Sequence, residues 1–487
     1  MTLENTRIDE ETLDPQDWDS LRTLGHQMVD DMLTYLETVR ERPVWQPIPD
    51  DVREFLKQPA PQDGQPPAEV YQEFKDNILP YPLGNIHPRF WGWVMGGGTP
   101  FGVLAEMMAA TMNPNMGGGD HVPNEVEKQV LGWLKAMMGF PSDASGILLS
   151  GGSMANLVGL TVARNTMAGY DLRKEGVGAH GRMVLYASVE AHSSVQKAVE
   201  LLGLGSDALR KIPTNADYEI DLDALRAAIA ADKAAGLKPF CVVGNAGTVN
   251  TGAVDDLAAL ADICAAEKLW YHVDGAFGAC AILAPRARSL LAGLDRADSL
   301  AFDLHKWLYM PFEIGCTLVR REQDHLNAFS LNPHYLAHLP RGAAGGVGWF
   351  SEYGLQLTRS FRALKAWMSF KEHGFARYGR LIQQNVDQAA YLAGLIEAAP
   401  ELELSAPAPL NIVCYRFVVP GKDQDSLNAI NQEILMRLHE QGIAVPSYTT
   451  LHGDFVLRVA NTNHRSRRAD FDLLVRETIR LGKEVAA

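Results

Sequence analysis

The sequence has no long basic run, and Asp and Glu outnumber Lys and Arg by 59 to 44, for a formal charge of −15. A nucleic acid or an anionic membrane surface would repel such a chain, so neither is expected as a partner. Long apolar runs are missing too. Stretches such as 108–112 and 240–243 fall far short of the roughly 20 residues that a bilayer-spanning helix needs. The first twenty residues are polar and acid-rich, without the basic-then-apolar order of a secretory signal, and a cytoplasmic protein is expected. Cysteine is scarce: Cys241, Cys264, Cys280, Cys316 and Cys414 stand singly. Without the close pairs of zinc or redox dithiol sites, they predict reduced, buried thiols and no metal centre.

What is present is a 47% hydrophobic content, enough to bury a large core in more than one domain. Over residues 18–40, Leu21, Leu24, Met28, Met32, Tyr35 and Leu36 recur at helical spacing, so this helix has one apolar face in need of a partner surface. Residues 43–67 are proline-rich and read as an extended connector, which places a helical amino-terminal arm over 1–85. Beyond it, short apolar segments alternate with helical patterns: 146–150 then 154–167, 183–188 then 195–202, 240–244 then 255–266, with further strand candidates at 269–273, 299–302 and 314–319. That alternation predicts βαβ units and a mainly parallel sheet in a large α/β domain over 86–365. Long helical segments at 380–397 and 426–441, with strand candidates at 412–418 and 455–459, predict a smaller α/β domain over 366–487.

The residues with chemistry fall at the ends of these strands. The segment from Ser299 runs directly into His305-Lys306-Trp307. A lysine at the end of a buried strand is costly to desolvate, so it tends to be neutralised or turned to covalent use. A second strand ends in Asp274-Gly275-Ala276. In open α/β sheets ligands bind beyond the carboxyl ends of the strands, so Asp274 and Lys306 are expected to face one crevice. A third strand turns through Gly151-Gly152-Ser153 into a helix, whose unpaired N–H groups suit a phosphate. A fourth delivers Glu190-Ala191-His192-Ser193-Ser194 to the same edge, where the flat ring of His192 can stack on a ligand. A reactive lysine, an acid and a phosphate cradle are the parts that pyridoxal 5'-phosphate requires.

With these residues in place, the chain resembles the group II decarboxylases dependent on pyridoxal phosphate, whose best-known members act on aromatic L-amino acids. The resemblance rests on His87-Pro88-Arg89-Phe90-Trp91, the run from Leu149 to Asn156, Ala191-His192-Ser193-Ser194, Gly247-Thr248, Val273-Asp274-Gly275-Ala276, His305-Lys306-Trp307 and the run from Phe361 to Trp367. It implies an aspartate aminotransferase-like fold (fold type I) and a homodimer joined in part through the arm. It also implies that Lys306 holds the cofactor's aldehyde, Asp274 pairs with the ring nitrogen, and His192 stacks on the ring. Gly152, Ser153, Ser299 and His305 match phosphate positions, and Thr248 lies beside the cofactor. Asp303 stands where aromatic decarboxylases often have asparagine, and its role is open.

The same resemblance makes Tyr335 the proton donor, on a loop followed by the glycine-rich run 342–348, with His338 nearby. Trp91, Trp93 and Arg359 match substrate positions. The segment from Trp91 to Gly98 departs from the family pattern, and its glycines are expected to reshape the substrate pocket. Residues 113–121 also lack the aromatic content expected of an aromatic decarboxylase. The implied activity is decarboxylation of an aromatic L-amino acid. The alternatives are an acidic or diamino acid substrate, a carbon–carbon lyase, or a decarboxylating aldehyde synthase, the last disfavoured by Tyr335.

Overall fold

The computed structural model of the chain describes residues 11–178, 180–331, 339–346 and 348–487. Its strands, in chain order, are β1 (Phe90–Trp91), β2 (Ser145–Leu149), β3 (Met183–Ser188), β4 (Leu209–Ile212), β5 (Lys238–Asn245), β6 (Trp270–Asp274), β7 (Ser299–Asp303), β8 (Gly315–Val319), β9 (Leu402–Leu404), β10 (Ile412–Phe417), β11 (Val445–Leu451) and β12 (Asp454–Ala460).

Seven of them form the large sheet in the order β2-β8-β7-β6-β5-β3-β4. From β7 to β4 the pairings are parallel, and β8 runs antiparallel to both of its neighbours. Every residue of β2, β3, β6, β7 and β8 is buried. This is why these strands read as unbroken apolar runs: a sheet covered on both faces has no polar side to alternate with. Because β2, β3, β5, β6 and β7 point the same way, their carboxyl ends open on one edge.

The second sheet, β1-β11-β12-β10-β9, packs on the carboxy-terminal helices around Leu392, Tyr415, Ile434 and Phe471. Its composition corrects the expected boundary at residue 86. Phe90 pairs with Val445 and Trp91 with Pro446 in a parallel register, so this segment completes the small sheet rather than opening the large domain. The boundary at 365/366 also shifts. One helix, Arg362–Glu397, crosses it and bends at Gly374 (φ 66°, ψ 152°). Phe370 and Ile382 belong to the large core, and Leu392 and Ile396 to the small one.

The arm helix, Trp18–Glu37, buries none of its residues, and Trp18, Leu21, Met28 and Leu33 are exposed. All five cysteines are buried and unbonded. Among the described residues no helix is long and apolar enough to cross a membrane.

Candidate active site

Two cavities meet at the carboxyl edge of the large sheet and share His192, Ala276 and Lys306. The first, about 370 Å³, is lined by Gly151, Gly152 and Ser153 after β2, and by Asp303, His305 and Lys306 after β7. The second, about 390 Å³, has walls from Trp93, Val94, Met95, Phe277 and Tyr448, and also contains Asp274. Lys306 and Asp274 therefore face one space. A larger cleft of about 1210 Å³ near Tyr353 holds none of these groups, so size alone does not mark the site.

Asp274, 5% exposed, accepts hydrogen bonds from Asn156 Nδ2 (2.9 Å) and the Ala276 N–H (3.1 Å). Behind it runs a buried chain of hydrogen bonds with one consistent direction. Trp270 Nε1 donates to Ser299 Oγ (2.8 Å), which lies 2.7 Å from His272 Nδ1; His272 Nε2 lies 2.9 Å from Asn156 Oδ1. An amide oxygen only accepts, so His272 carries its proton on Nε2 and takes the Ser299 hydroxyl proton at Nδ1. Burial pushes His272 down to about 4, which keeps the ring neutral. Asn156 Nδ2 also donates to Ser194 Oγ (3.1 Å), which is 2.8 Å from His192 Nδ1. The Ser194 N–H donates to the same His192 nitrogen (3.2 Å), leaving Nε2 to hold the His192 proton. Burial lowers the pKa of His192, and the negative charge of Asp274 opposes that shift.

This network corrects the assignment of Ser299 to a phosphate site. Ser299 opens β7, fully buried, at the end of the strand away from Lys306. Two other expected contacts fail for similar reasons. Trp91 is 1% exposed, stacks on Phe471 and donates to Ser466, so it belongs to the small-domain core. The guanidinium of Arg359 lies at the outer edge of β2, bonded to Glu127 (2.5 Å) and to the carbonyls of Met116 and Leu148, and lines neither cavity.

The remaining residues divide between the two lobes. Trp93, 53% exposed, is in the wall. Thr248 is buried beside the second lobe, with its hydroxyl 3.1 Å from that of Thr251, while Gly247 and Val249 line the cavity. Gly152 begins the helix Gly152–Met167, and Ser153 follows it. His305 Nδ1 accepts from the Ile314 N–H (3.1 Å), which leaves its Nε2–H to the first lobe; burial lowers its pKa, and Asp303 opposes that shift. Lys306 Nζ pairs with Asp303 Oδ2 at 3.0 Å. Tyr335 and His338 lie outside the described residues.

A Cβ at Gly96 would strike the carbonyl oxygens of His305 and Lys306, so this glycine lets the Trp93-Val94-Met95 wall lie flush against the lysine segment. Sequence reasoning also missed the residues that come from the small domain. Ser447, Tyr448 and Arg458 reach the second lobe from β11 and β12. The Arg458 side chain donates to the carbonyls of Val249, Asn250 and Trp93 and to Ser447 Oγ, and burial pushes its pKa down to about 10.

The donor set suits pyridoxal phosphate. A helix start built on Gly151 and Gly152 favours an anion, Lys306 stands between the lobes, and a carboxylate held by two donors faces the other side.

The sequence profile described as "Pyridoxal-dependent decarboxylase conserved domain" matches residues 49–418. An aromatic-L-amino-acid decarboxylase of Bacillus atrophaeus is 34% identical over 473 residues, covering 96% of each chain. A phenylacetaldehyde synthase of Arabidopsis thaliana is 30% identical, over 92% of this chain and 93% of its own. Among solved structures, Oryza sativa TDC with PLP and tryptamine superposes with a TM-score of 0.89 at 27% identity, covering 97% of this chain and 99% of that one. Fold, cavity and sequence agree that this chain belongs to the pyridoxal-dependent decarboxylase family, with its aspartate aminotransferase-like fold.

Proposed function

We propose that this protein removes the α-carboxylate of an aromatic L-amino acid, releasing carbon dioxide and the amine. The observation that carries this reading is the second lobe, an apolar and aromatic space beside Lys306. Its ionisable lining groups are Asp274, Lys306, His192 and Arg458, and the Arg458 donors are engaged by carbonyls and Ser447. An acidic side chain would meet no uncommitted guanidinium there, and a flat apolar one fits. The Bacillus relative named for aromatic-L-amino-acid decarboxylation supports the same choice.

Pyridoxal phosphate, when bound, supplies a ring that accepts the electron pair left as carbon dioxide departs. Lys306 Nζ would hold the cofactor's aldehyde. Asp274, oriented by Asn156 and the Ala276 N–H, would keep a proton at the ring nitrogen. His192 would offer a ring face. Gly152, Ser153 and His305 would donate to the phosphate, and Thr248 shapes the loop between Gly247 and Val249. Tyr335 would deliver the proton to the α-carbon.

The active unit is a homodimer. Exposed Trp18, Leu21, Met28 and Leu33 on the arm, with Val103, Met107, Met108 and Met112 on the helix Pro100–Met112, are apolar area that a second copy would cover. Five unpaired, buried thiols fit a cytoplasmic setting.

The test is to supply the holoenzyme with each common amino acid and measure carbon dioxide, amine and aldehyde together. Equal yields of carbon dioxide and amine from an aromatic substrate are expected, and Tyr335→Phe should suppress the amine. Aldehyde in place of amine would turn the reading toward the activity named for the Arabidopsis relative. Turnover of acidic or diamino acids alone would overturn the substrate class.

A further inference from the structure

The first lobe contains an anion of its own. Asp303 ends β7 with its side chain 1% exposed, against the two glycines that begin the helix Gly152–Met167. A methyl group at Gly152 would lie 2.9 Å from Asp303 Oδ2, and one at Gly151 would lie 3.7 Å from Oδ1. Oδ2 pairs with Lys306 Nζ at 3.0 Å and lies 3.8 Å from His305 Nε2. Oδ1 is buried in the lobe wall and has no hydrogen-bond partner among the described residues.

These contacts work against the rest of the cradle. A helix start, the Ser153 hydroxyl and the His305 Nε2–H all offer protons to a phosphate, whereas a carboxylate offers none. An anion brought against a buried carboxylate is repelled more strongly than the same pair would be in bulk solvent. Asp303 also engages Lys306 Nζ, the atom that must be released to meet the aldehyde. A buried carboxylate oxygen without a donor is costly to retain, and its natural compensation here is the positive end of the helix, the same feature a phosphate would use.

We propose that Asp303 is a positioning residue that occupies the anion place in the cofactor-free chain, holds Lys306 as its ion partner, and weakens the hold of this lobe on the cofactor's phosphate. The inference rests on the reading that this lobe receives the phosphate, and adds to it a group that opposes the binding. Exchange of cofactor is then easier than the cradle alone would allow, and an amide of the same shape at this position would reverse the effect by donating through its Nδ2.

The test uses the full-length chain, freed of cofactor, in equilibrium dialysis against pyridoxal phosphate and separately against pyridoxal, for the wild type, Asp303→Asn and Asp303→Ser. Lys306 meets an aldehyde in both ligands, so the loss of its ion partner cancels in the ratio of the two dissociation constants. That ratio isolates the phosphate contribution, and it should rise by about tenfold or more in Asp303→Asn and by less in Asp303→Ser. Inorganic phosphate should also compete with pyridoxal phosphate more strongly in the variants. An unchanged or reduced ratio in folded variants overturns the inference while leaving the phosphate reading intact. A wild type and variants that all bind pyridoxal as tightly as pyridoxal phosphate overturn both. If the amide variant fails to fold, the serine variant supplies the ratio.

Discussion

At the scale of single residues, the site depends on groups that never face the cavity. Ser299 lies about 13 Å along β7 from Asp303, four residues at strand rise, yet its hydroxyl connects Trp270 to His272 and through it to the amide that holds Asp274. Ser299→Ala would leave the Trp270 N–H and His272 Nδ1 without their shared partner in a buried setting. A loss of about 1–3 kcal/mol in stability is expected by denaturant titration, with weaker retention of pyridoxal phosphate. Stability and cofactor retention both equal to wild type would separate this chain of hydrogen bonds from Asp274. Lys306, Asp274, His192, Gly152, Ser153 and His305 were legible because each follows an apolar strand with a turn or helix signal behind it. Ser299, Trp91 and Arg359 were misplaced because residue type and spacing do not show which end of a strand, or which side of a sheet, a side chain occupies. Arg359 offers the same guanidinium to a ligand or to Glu127, and only the packing distinguishes the two.

At the scale of elements, the segment before the helix Pro100–Met112 is fitted to the lysine strand by the absence of a side chain. Gly96→Ala would drive a methyl group into the carbonyls of His305 and Lys306, so the wall of the second lobe or the lysine itself must move. The variant should lose about 1–3 kcal/mol and shed its cofactor, read by thermal melting and by dialysis of the holoenzyme. Gly394→Ala in the helix Arg362–Glu397, where the added methyl meets nothing within 4 Å, is the control and should be neutral or slightly stabilising. A melting curve for Gly96→Ala equal to that of wild type would remove the close approach from the account. The long buried strands were readable from their apolar runs, whereas β1, two residues long, was not. Its partner in β11 lies some 355 positions away in the chain, and a parallel pairing of that span leaves no local signature. The bend at Gly374 hid the domain boundary in the same way, since a helical pattern crosses it without interruption.

At the scale of the whole molecule, four largely desolvated histidines couple stability to pH. Burial pushes His87, His272, His325 and His464 each down to about 4, from an ordinary value of 6.5. Between these values the unfolded chain binds protons at positions where the folded chain does not. The stability these neutral rings contribute is therefore complete above about pH 6.5 and declines as the pH falls toward 4. Denaturant midpoints measured from pH 7.5 to 4.5 should fall steadily over the lower part of that range. Unfolding near pH 5 should take up roughly three to four protons from these rings alone. A midpoint flat across the range would contradict their burial as neutral groups.

Arg458 is anchored in the small sheet, but the carbonyls it binds belong to the loop after β5 and to the segment that carries Trp93. One cation thus fastens three separate stretches of backbone around the second lobe. Any guest that fits between them is also read by the docking of the two domains, because widening the lobe requires a carbonyl to leave the guanidinium. Selectivity for the side chain of the amino acid is in this sense a property of how the halves of the protein clasp one another, and new side chains in the wall would leave the backbone carbonyls of Trp93 and Val249 still tied to the guanidinium.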